Sequence, residues 1–293
     1  MSEATNIETD PRIGRYPTLS FADYLAIDAE SASRLKALMH TAAHYKHAID
    51  HPDDGKEETA AMRFGTAVHC ALLEPEAFSD RYTIDPMSPK GGYPAGWRNT
   101  KDYKEQKAEI LESGRGVLAL NLANDCMRMR DKLYGEPSHA RDLLMAKSAT
   151  EVSYVIEDSF TGTTCKLRPD LEVDSGRIIV DLKKCAQISR FPKQIVDLKY
   201  NLSAAHYQTL LQERHEGNAC DHFLWLVVEE GAPFEFRVIE LDQAGREYSW
   251  RLWRRLMKQA KECRESGVYP GYPREVEAVS LPEWLFNVEE MEQ

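Results

Sequence analysis

KLRPDLEVDSGRIIVDLKK, residues 166–184, is the stretch whose reading decides the fold. Asp170 falls near the end of one strand-like run, and Asp181 and Lys183 fall on the next. Between them, Asp174-Ser175-Gly176 is turn chemistry, with a glycine that tolerates positive φ where a tight connection needs it. Ile178-Ile179-Val180 is a β-branched run of the kind a sheet buries. Side chains alternate along a strand, so Asp181 and Lys183 project to one face. A hairpin-like connection brings Asp170 back beside them. Two carboxylates and an amine at the edge of a buried strand make a site for hard cations and a polarised water. Asp-x-Lys alone is a common spacing that ordinarily marks a solvated strand end or a surface ion pair. The buried run before it and the matching features elsewhere set this one apart.

The rest of the chain bounds the possibilities. Its 293 residues suit one large domain, or one domain with a helical elaboration. A composition of 42% hydrophobic and 29% charged residues argues against wholesale disorder. No apolar run is long enough to span a bilayer, and MSEATNIETDPRIGRYP lacks the pattern of a signal peptide. The expectation is a cytoplasmic protein without a membrane partner. The 6 cysteines include no CxxC pair, which disfavours a zinc ribbon or a locally ligated iron–sulfur cluster and favours reduced, buried thiols. A net charge of −11 counts against a protein that coats nucleic acid. It is compatible with an enzyme that holds cations with its acids and confines its bases to a channel.

Residues 1–17 read as a flexible arm and 18–293 as a single domain with an N-terminal helical elaboration. Helices are expected over 31–49 and 59–73, the second with Gly65 allowing close packing, and a charged loop over 52–58. A Gly/Pro-rich, mobile loop over 86–97 precedes a charged helix at 101–112 and a helix capped by Asn121 that runs to about 134. The period then switches to strands: 151–157, a turn at Thr161-Gly162, another strand, and the Asp181 strand. A helix over 204–213, strands over 223–229 and 234–241, and a long helix over 246–265 ended by Gly267 complete the order. That order predicts an α/β (α+β) fold with a central mixed β-sheet flanked by helices.

Several further residues are candidates. His69 lies on an otherwise apolar helix, where a lone histidine is more often a satisfied core residue; its functional reading is a metal ligand through neutral imidazole. Glu151 opens the strand meander, as an ordinary exposed glutamate or as a further carboxylate near the metal. Arg168 reads as an ion-pair partner of Asp170 or Glu172, or as a bidentate phosphate contact. Tyr207 and Gln208 are packing residues or groups that orient a phosphate. Lys183, Lys184, Arg190, Lys193 and Lys199 form a basic segment, a solvated face or a DNA-backbone track. Trp250, Trp253 and Met257 recur at helical spacing and are expected in the core, on a helix that also carries Arg251, Arg254, Arg255 and Lys258.

Gly65-x-x-x-His69, Glu151, Arg168-Pro169-Asp170, Asp181-Leu182-Lys183 and Tyr207 together resemble the PD-(D/E)XK nuclease superfamily, and more closely its RecE-type (exonuclease VIII) exonuclease domain. The likeness runs from Ser31 to Trp284 and includes GTAVHCALLEPEAF, CKLRPD, IIVDLKK, YNLSAAHY and SLPEW. It implies a restriction-endonuclease-like core and a Mg²⁺-dependent 5′→3′ exodeoxyribonuclease, with Mn²⁺ able to substitute. Such an enzyme degrades one strand of linear double-stranded DNA and leaves a 3′ single-stranded tail for recombination, in a phage or prophage setting. His69, Asp170, Asp181 and the Leu182 backbone carbonyl would be metal ligands. Lys183 would be the catalytic lysine and Glu151 the acidic position before the core motif. Arg168, Lys184, Tyr207 and Gln208 would contact DNA. The family also suggests a ring-shaped homo-oligomer and a single-strand annealing protein as partner. One departure stands out: four residues before the tyrosine, where the family carries glutamine, this chain has Ser203, and Gln208 is the available substitute. The rival readings are a structure-specific DNA endonuclease of the same superfamily and a weakly catalytic DNA-end-binding recombination scaffold.

Overall fold

The computed structural model describes residues 13–52, 59–213 and 219–282. In chain order, β1 (Gly14–Tyr16) leads into α1 (Phe21–Ala26), α2 (Ala32–Leu38), α3 (Ala42–Asp50) and α4 (Ala60–Leu73). Next come α5 (Phe78–Arg81), β2 (Tyr82–Ile84), α6 (Lys101–Glu112), β3 (Gly116–Leu118), α7 (Leu120–Gly135) and α8 (His139–Met145). The strands β4 (Lys147–Thr150), β5 (Ser153–Asp158), β6 (Thr163–Leu167), β7 (Leu171–Val173) and β8 (Ile178–Cys185) follow. Then α9 (Phe191–Asp197), α10 (Tyr200–Glu213), β9 (His222–Glu229), β10 (Phe236–Ile239) and α11 (Gln243–Ser266) complete the domain.

The central sheet has the order β10-β9-β8-β7-β4. It is mixed, as expected: β8 and β9 run parallel, and the other neighbours are antiparallel. A parallel pair needs a crossover, and α9 and α10 supply it. A second sheet, β1-β5-β6, and a β2-β3 pair complete the strands. Along β8 and β9 the side chains alternate between two cores. Ile179, Phe223, Trp225 and Val227 pack with Leu35 of α2, Leu202 of α10 and Trp253 of α11. Val180, Leu182, Leu226 and Val228 pack with Val68 of α4 and Met129 of α7. Both faces are covered, so Phe223–Val228 of β9 and Ile178–Val180 of β8 read as continuous apolar runs.

The turn before β8 is built as its residues require. Asp174, Ser175 and Gly176 take φ of 49°, 54° and 86°, a left-handed run open to glycine and tolerated by short polar side chains. Gly267 ends α11 with φ of 68°, and Asp242 caps its start by accepting from Gly245 N–H at 2.7 Å.

Other expectations need correction. The helix expected over 31–49 is two helices, because Thr41 accepts from His44 N–H and starts α3 afresh. The helix expected from Asn121 begins at Leu120, with Ala119 in the cap position and no side-chain bond. Strand β10 is shorter than 234–241, since Phe234 adopts φ of 59° and leaves the extended region. Residues 14–16, assigned to the arm, pair with β5 as β1. The loop over 86–97 is tied down: Trp97 is buried and its Nε1–H donates to Pro86 O at 2.9 Å, while Tyr93 O–H donates to Asp85 O at 2.7 Å. Trp253 and Met257 are buried, but Trp250 is 43% exposed, with the Arg254 guanidinium 5.2 Å from its ring. Three readings fall outside the described residues: positions 1–12 of the arm, most of the charged loop (53–58), and the last two residues of SLPEW. None of the six cysteines forms a disulfide, and all are buried. Among the described residues no helix is long and apolar enough to cross a membrane.

One buried histidine locks α10 to β6 and to α11. His206 Nδ1 accepts from Trp253 Nε1–H at 3.0 Å, so its proton sits on Nε2, 3.1 Å from Lys166 O. Burial pushes its pKa down to about 4. The unfolded chain therefore binds a proton that the folded one refuses between about pH 6.5 and 4, and stability falls as pH drops through that window. The expected contribution is on the order of 3 kcal/mol by pH 4. Urea unfolding at pH 7 and pH 4 should show that His206→Gln loses less stability on acidification than wild type. Equal losses would contradict the assignment.

Candidate active site

The site forms where β8 outruns its neighbour. Strand β7 pairs only with Ile178–Val180, the last partners being Leu171 and Val180. Beyond them the β7-side edge of β8 has no strand partner among the described residues, and side chains satisfy it instead. Asp170, just before β7, accepts from Leu182 N–H through Oδ2 at 2.8 Å. His69 reaches over from α4, its Nε2 3.1 Å from Leu182 O. Its Nδ1 lies 3.7 Å from Asp170 Oδ2. The short strand thus converts an Arg-Pro-Asp sequence into a carboxylate anchored beside Asp181. A methyl at Gly65, one turn before His69, would meet only Lys184 Cε, at 3.6 Å, so close packing does not demand this glycine.

Asp181 and Lys183 project to one face, as alternation predicts, and the Lys183 ammonium lies 2.5 Å from Asp181 Oδ2. It also donates to Leu182 O at 3.3 Å and sits 5.3 Å from the Tyr200 ring centroid. Burial raises the Asp181 pKa and the Asp170 charge raises it further, while Lys183 opposes both. Burial is also the largest single influence on Lys183 and favours its neutral form. Asp181 and Asp170 together outweigh it, and the lysine is held more firmly charged than in water.

Outside this group opens a cavity of about 580 Å³ lined by His69, Asp170, Glu151, Arg168, Tyr24 and Tyr207, among others. Glu151 adopts φ of 51°, uncommon for a side-chain-bearing residue, and its N–H donates to Asp170 O at 3.1 Å. This brings its carboxylate to the cavity wall. Arg168 pairs with Glu151 at 3.1 Å rather than with Asp170 or Glu172, and also donates to Ser153 Oγ at 2.6 Å and Leu19 O at 2.9 Å. Glu172 is taken up elsewhere, by Arg15 at 3.1 Å and by a short bond from Tyr154 O–H. Tyr207 donates to Arg168 O at 3.3 Å, and burial pushes its pKa well up, so the hydroxyl keeps its proton.

Two expected DNA contacts are not brought to this cavity. Gln208 follows Tyr207 on α10 but faces away, its amide donating to Asp221 O at 3.1 Å across a separate depression. It cannot replace the missing glutamine; Ser203, one helical turn before Tyr207, occupies that position on the shared face. Lys184 points to the opposite side of β8 from Lys183, paired with Glu230 at 2.8 Å and lying over the Phe64 ring. Sequence reasoning missed Tyr200 and Lys36, which stand at Lys183. Tyr200 opens the YNLSAAHY helix and shares its face with Tyr207 seven residues on, a spacing that was readable; Lys36 had no signal beyond being a helical lysine.

The donors suit a hard divalent cation. Two carboxylates, a backbone carbonyl and an imidazole meet here, with His69 Nδ1 3.7 Å from Asp170 Oδ2. Among the described residues no three His, Cys, Asp or Glu side chains stand in a ligating cluster. The reason is visible in the bonding: Asp181 is engaged by Lys183, Asp170 by Leu182 N–H, and His69 by Leu182 O.

A model of a PDDEXK-like domain of unknown function (DUF3799) matches residues 31–282. No curated protein matches the sequence. Among solved structures, a candidate exonuclease from Eubacterium rectale superposes with a TM-score of 0.58 at 13% identity, over 92% of this chain and 98% of that one. At that identity the likeness is one of fold, and the fold agrees with the mixed sheet and its flanking helices.

Proposed function

The chain belongs to the PDDEXK-like family DUF3799, within the PD-(D/E)XK nuclease superfamily, and on that footing we propose that it is a divalent-cation-dependent 5′→3′ exodeoxyribonuclease. Its substrate is linear double-stranded DNA, from which it removes one strand and leaves a 3′ single-stranded tail. The observation that carries this reading is the convergence of Asp170, Asp181, Lys183 and His69 on the unpaired edge of β8. The motif likeness to RecE-type exonucleases supports the polarity. That likeness also underlies three further proposals: Mg²⁺ as the working ion with Mn²⁺ as substitute, a ring-shaped homo-oligomer, and a single-strand annealing protein as partner.

Asp170, Asp181, the Leu182 carbonyl and His69 would hold the cation, which would supply charge stabilisation at the phosphate and ease loss of a proton from the attacking water. Lys183, held charged by its neighbours, acts as a hydrogen-bond donor at Nζ rather than as a base. Tyr207 likewise remains a donor. Glu151 neutralises Arg168 and keeps that guanidinium against the cavity wall.

The test is digestion of a linear duplex labelled separately at each 5′ and each 3′ end, with Mg²⁺ and with chelator. Release of 5′ label first, only with metal, is expected, and a covalently closed circle should remain whole. Cutting of the circle would favour the endonuclease. End binding without turnover would favour the scaffold, the reading that Ser203 keeps in view.

A further inference from the structure

A second lysine stands at this site, unmarked by any motif. Lys36, in the last turn of α2, places Nζ 5.6 Å from the centroid of the Tyr200 ring, and Lys183 Nζ lies 5.3 Å from the same centroid. Both distances are within cation–π range. The partners of the two ammonium groups differ. Lys183 has the Asp181 carboxylate at 2.5 Å and the Leu182 carbonyl at 3.3 Å. The Lys36 ammonium has neither an ion pair nor a hydrogen bond among the described residues; the ring is what it meets.

We propose that Lys36 contacts the phosphate being cleaved, and that Tyr200, whose ring also meets the Lys183 ammonium, positions it for that purpose. The inference rests on the nuclease reading, because its ligand is that reading's substrate. It divides the work of two lysines: Lys183 stays with Asp181, and Lys36 is left to meet the substrate's charge. Burial and the charge of Lys183 push the Lys36 pKa down to about 8, with Asp181 only partly opposing them. A cation kept in such surroundings without an ion pair of its own among the described residues is complementary to an incoming phosphodiester. The ordinary role of a lysine in the last turn of a helix is to complement the backbone dipole. That role predicts a change in stability and none in DNA binding, so the two are separable.

Binding of a linear duplex in chelator is measured against KCl concentration, and turnover is measured with Mg²⁺, for wild type, Lys36→Met and Lys36→Arg. Removing one phosphate contact should flatten the plot of log affinity against log salt by about 1. Turnover should fall on the order of 10²-fold, the scale of losing one donor to a reacting oxyanion. Lys36→Arg should recover the salt slope and most of the turnover. Lys36→Gln repeats the comparison with a polar, uncharged side chain should the methionine variant melt early. A wild-type slope and wild-type turnover in the uncharged variants, beside an active wild type, overturn the role of Lys36 and leave the nuclease reading standing. A flattened slope with unaltered turnover also overturns it, by placing the contact away from the scissile phosphate. A wild type that cuts no duplex removes the nuclease reading and this inference together.

Discussion

Asp181→Asn is expected to abolish DNA hydrolysis while leaving the fold in place. The substitution keeps the size and reach of the side chain and removes only its charge. Loss of a charged ligand withdraws several kcal/mol of electrostatic stabilisation from a metal-assisted reaction, and each ~1.4 kcal/mol is tenfold in rate. Turnover should therefore fall on the order of 10³-fold or more. The fold should survive because Asp181 enters the sheet through its backbone, opposite Trp225 in the β8–β9 ladder, and its side chain is not part of either core. Lys183 would retain the Leu182 carbonyl and the Tyr200 ring, so its charge is not stranded. Circular dichroism and a turnover assay on end-labelled duplex check both halves. A variant that retains a tenth of wild-type turnover would move the chemistry off this strand. Burial and Asp170 hold the Asp181 pKa above the ordinary carboxylate range. At low cation concentration, wild-type activity should then decline on acidification sooner than an exposed aspartate would dictate, since only the ionised carboxylate binds metal.

The site was legible in the sequence where the chemistry is local. Asp181 and Lys183 share a face because strand side chains alternate, and the turn at Asp174-Ser175-Gly176 needed no tertiary information. The position of Asp170 was legible in outline, yet its role as the bond acceptor of Leu182 N–H depends on β7 beginning only at Leu171, which no propensity encodes. What sequence could not carry was direction. Tyr207 and Gln208 are adjacent, and which of them faces the cavity is fixed by how α10 packs on the sheet through Leu202 and Leu210. Lys183 and Lys184 sit on opposite faces, so a run of basic residues dissolved into one site residue and one partner of Glu230. Arg168 was expected to pair with a nearby acid in sequence and pairs instead with Glu151, brought round by the antiparallel turn of β5 and β6. Lys36 is separated from Lys183 by most of the domain, and only the packing of α2 against α10 brings the two to one ring.

Lys183→Met is expected to separate catalysis from metal binding. Lys183 and a divalent cation are competitors for one carboxylate: the ammonium sits 2.5 Å from Asp181 Oδ2 and forms the bond that a ligating Asp181 would have to share or give up. Asp170 raises the cost of ionising Asp181, and Lys183 is the positive charge that offsets it. With methionine in its place, both carboxylates remain and their demand for positive charge rises. Affinity for Mn²⁺, measured by titration calorimetry without DNA, should therefore match or exceed that of wild type. Turnover should nevertheless fall ~10²–10³-fold, the range for losing one hydrogen-bond donor to a developing oxyanion. The two readouts moving in opposite directions is the signature of a lysine that acts on water or phosphate. If metal affinity collapses together with activity, Lys183 instead holds the carboxylates in position, and the chemistry must be assigned to another donor at the cavity.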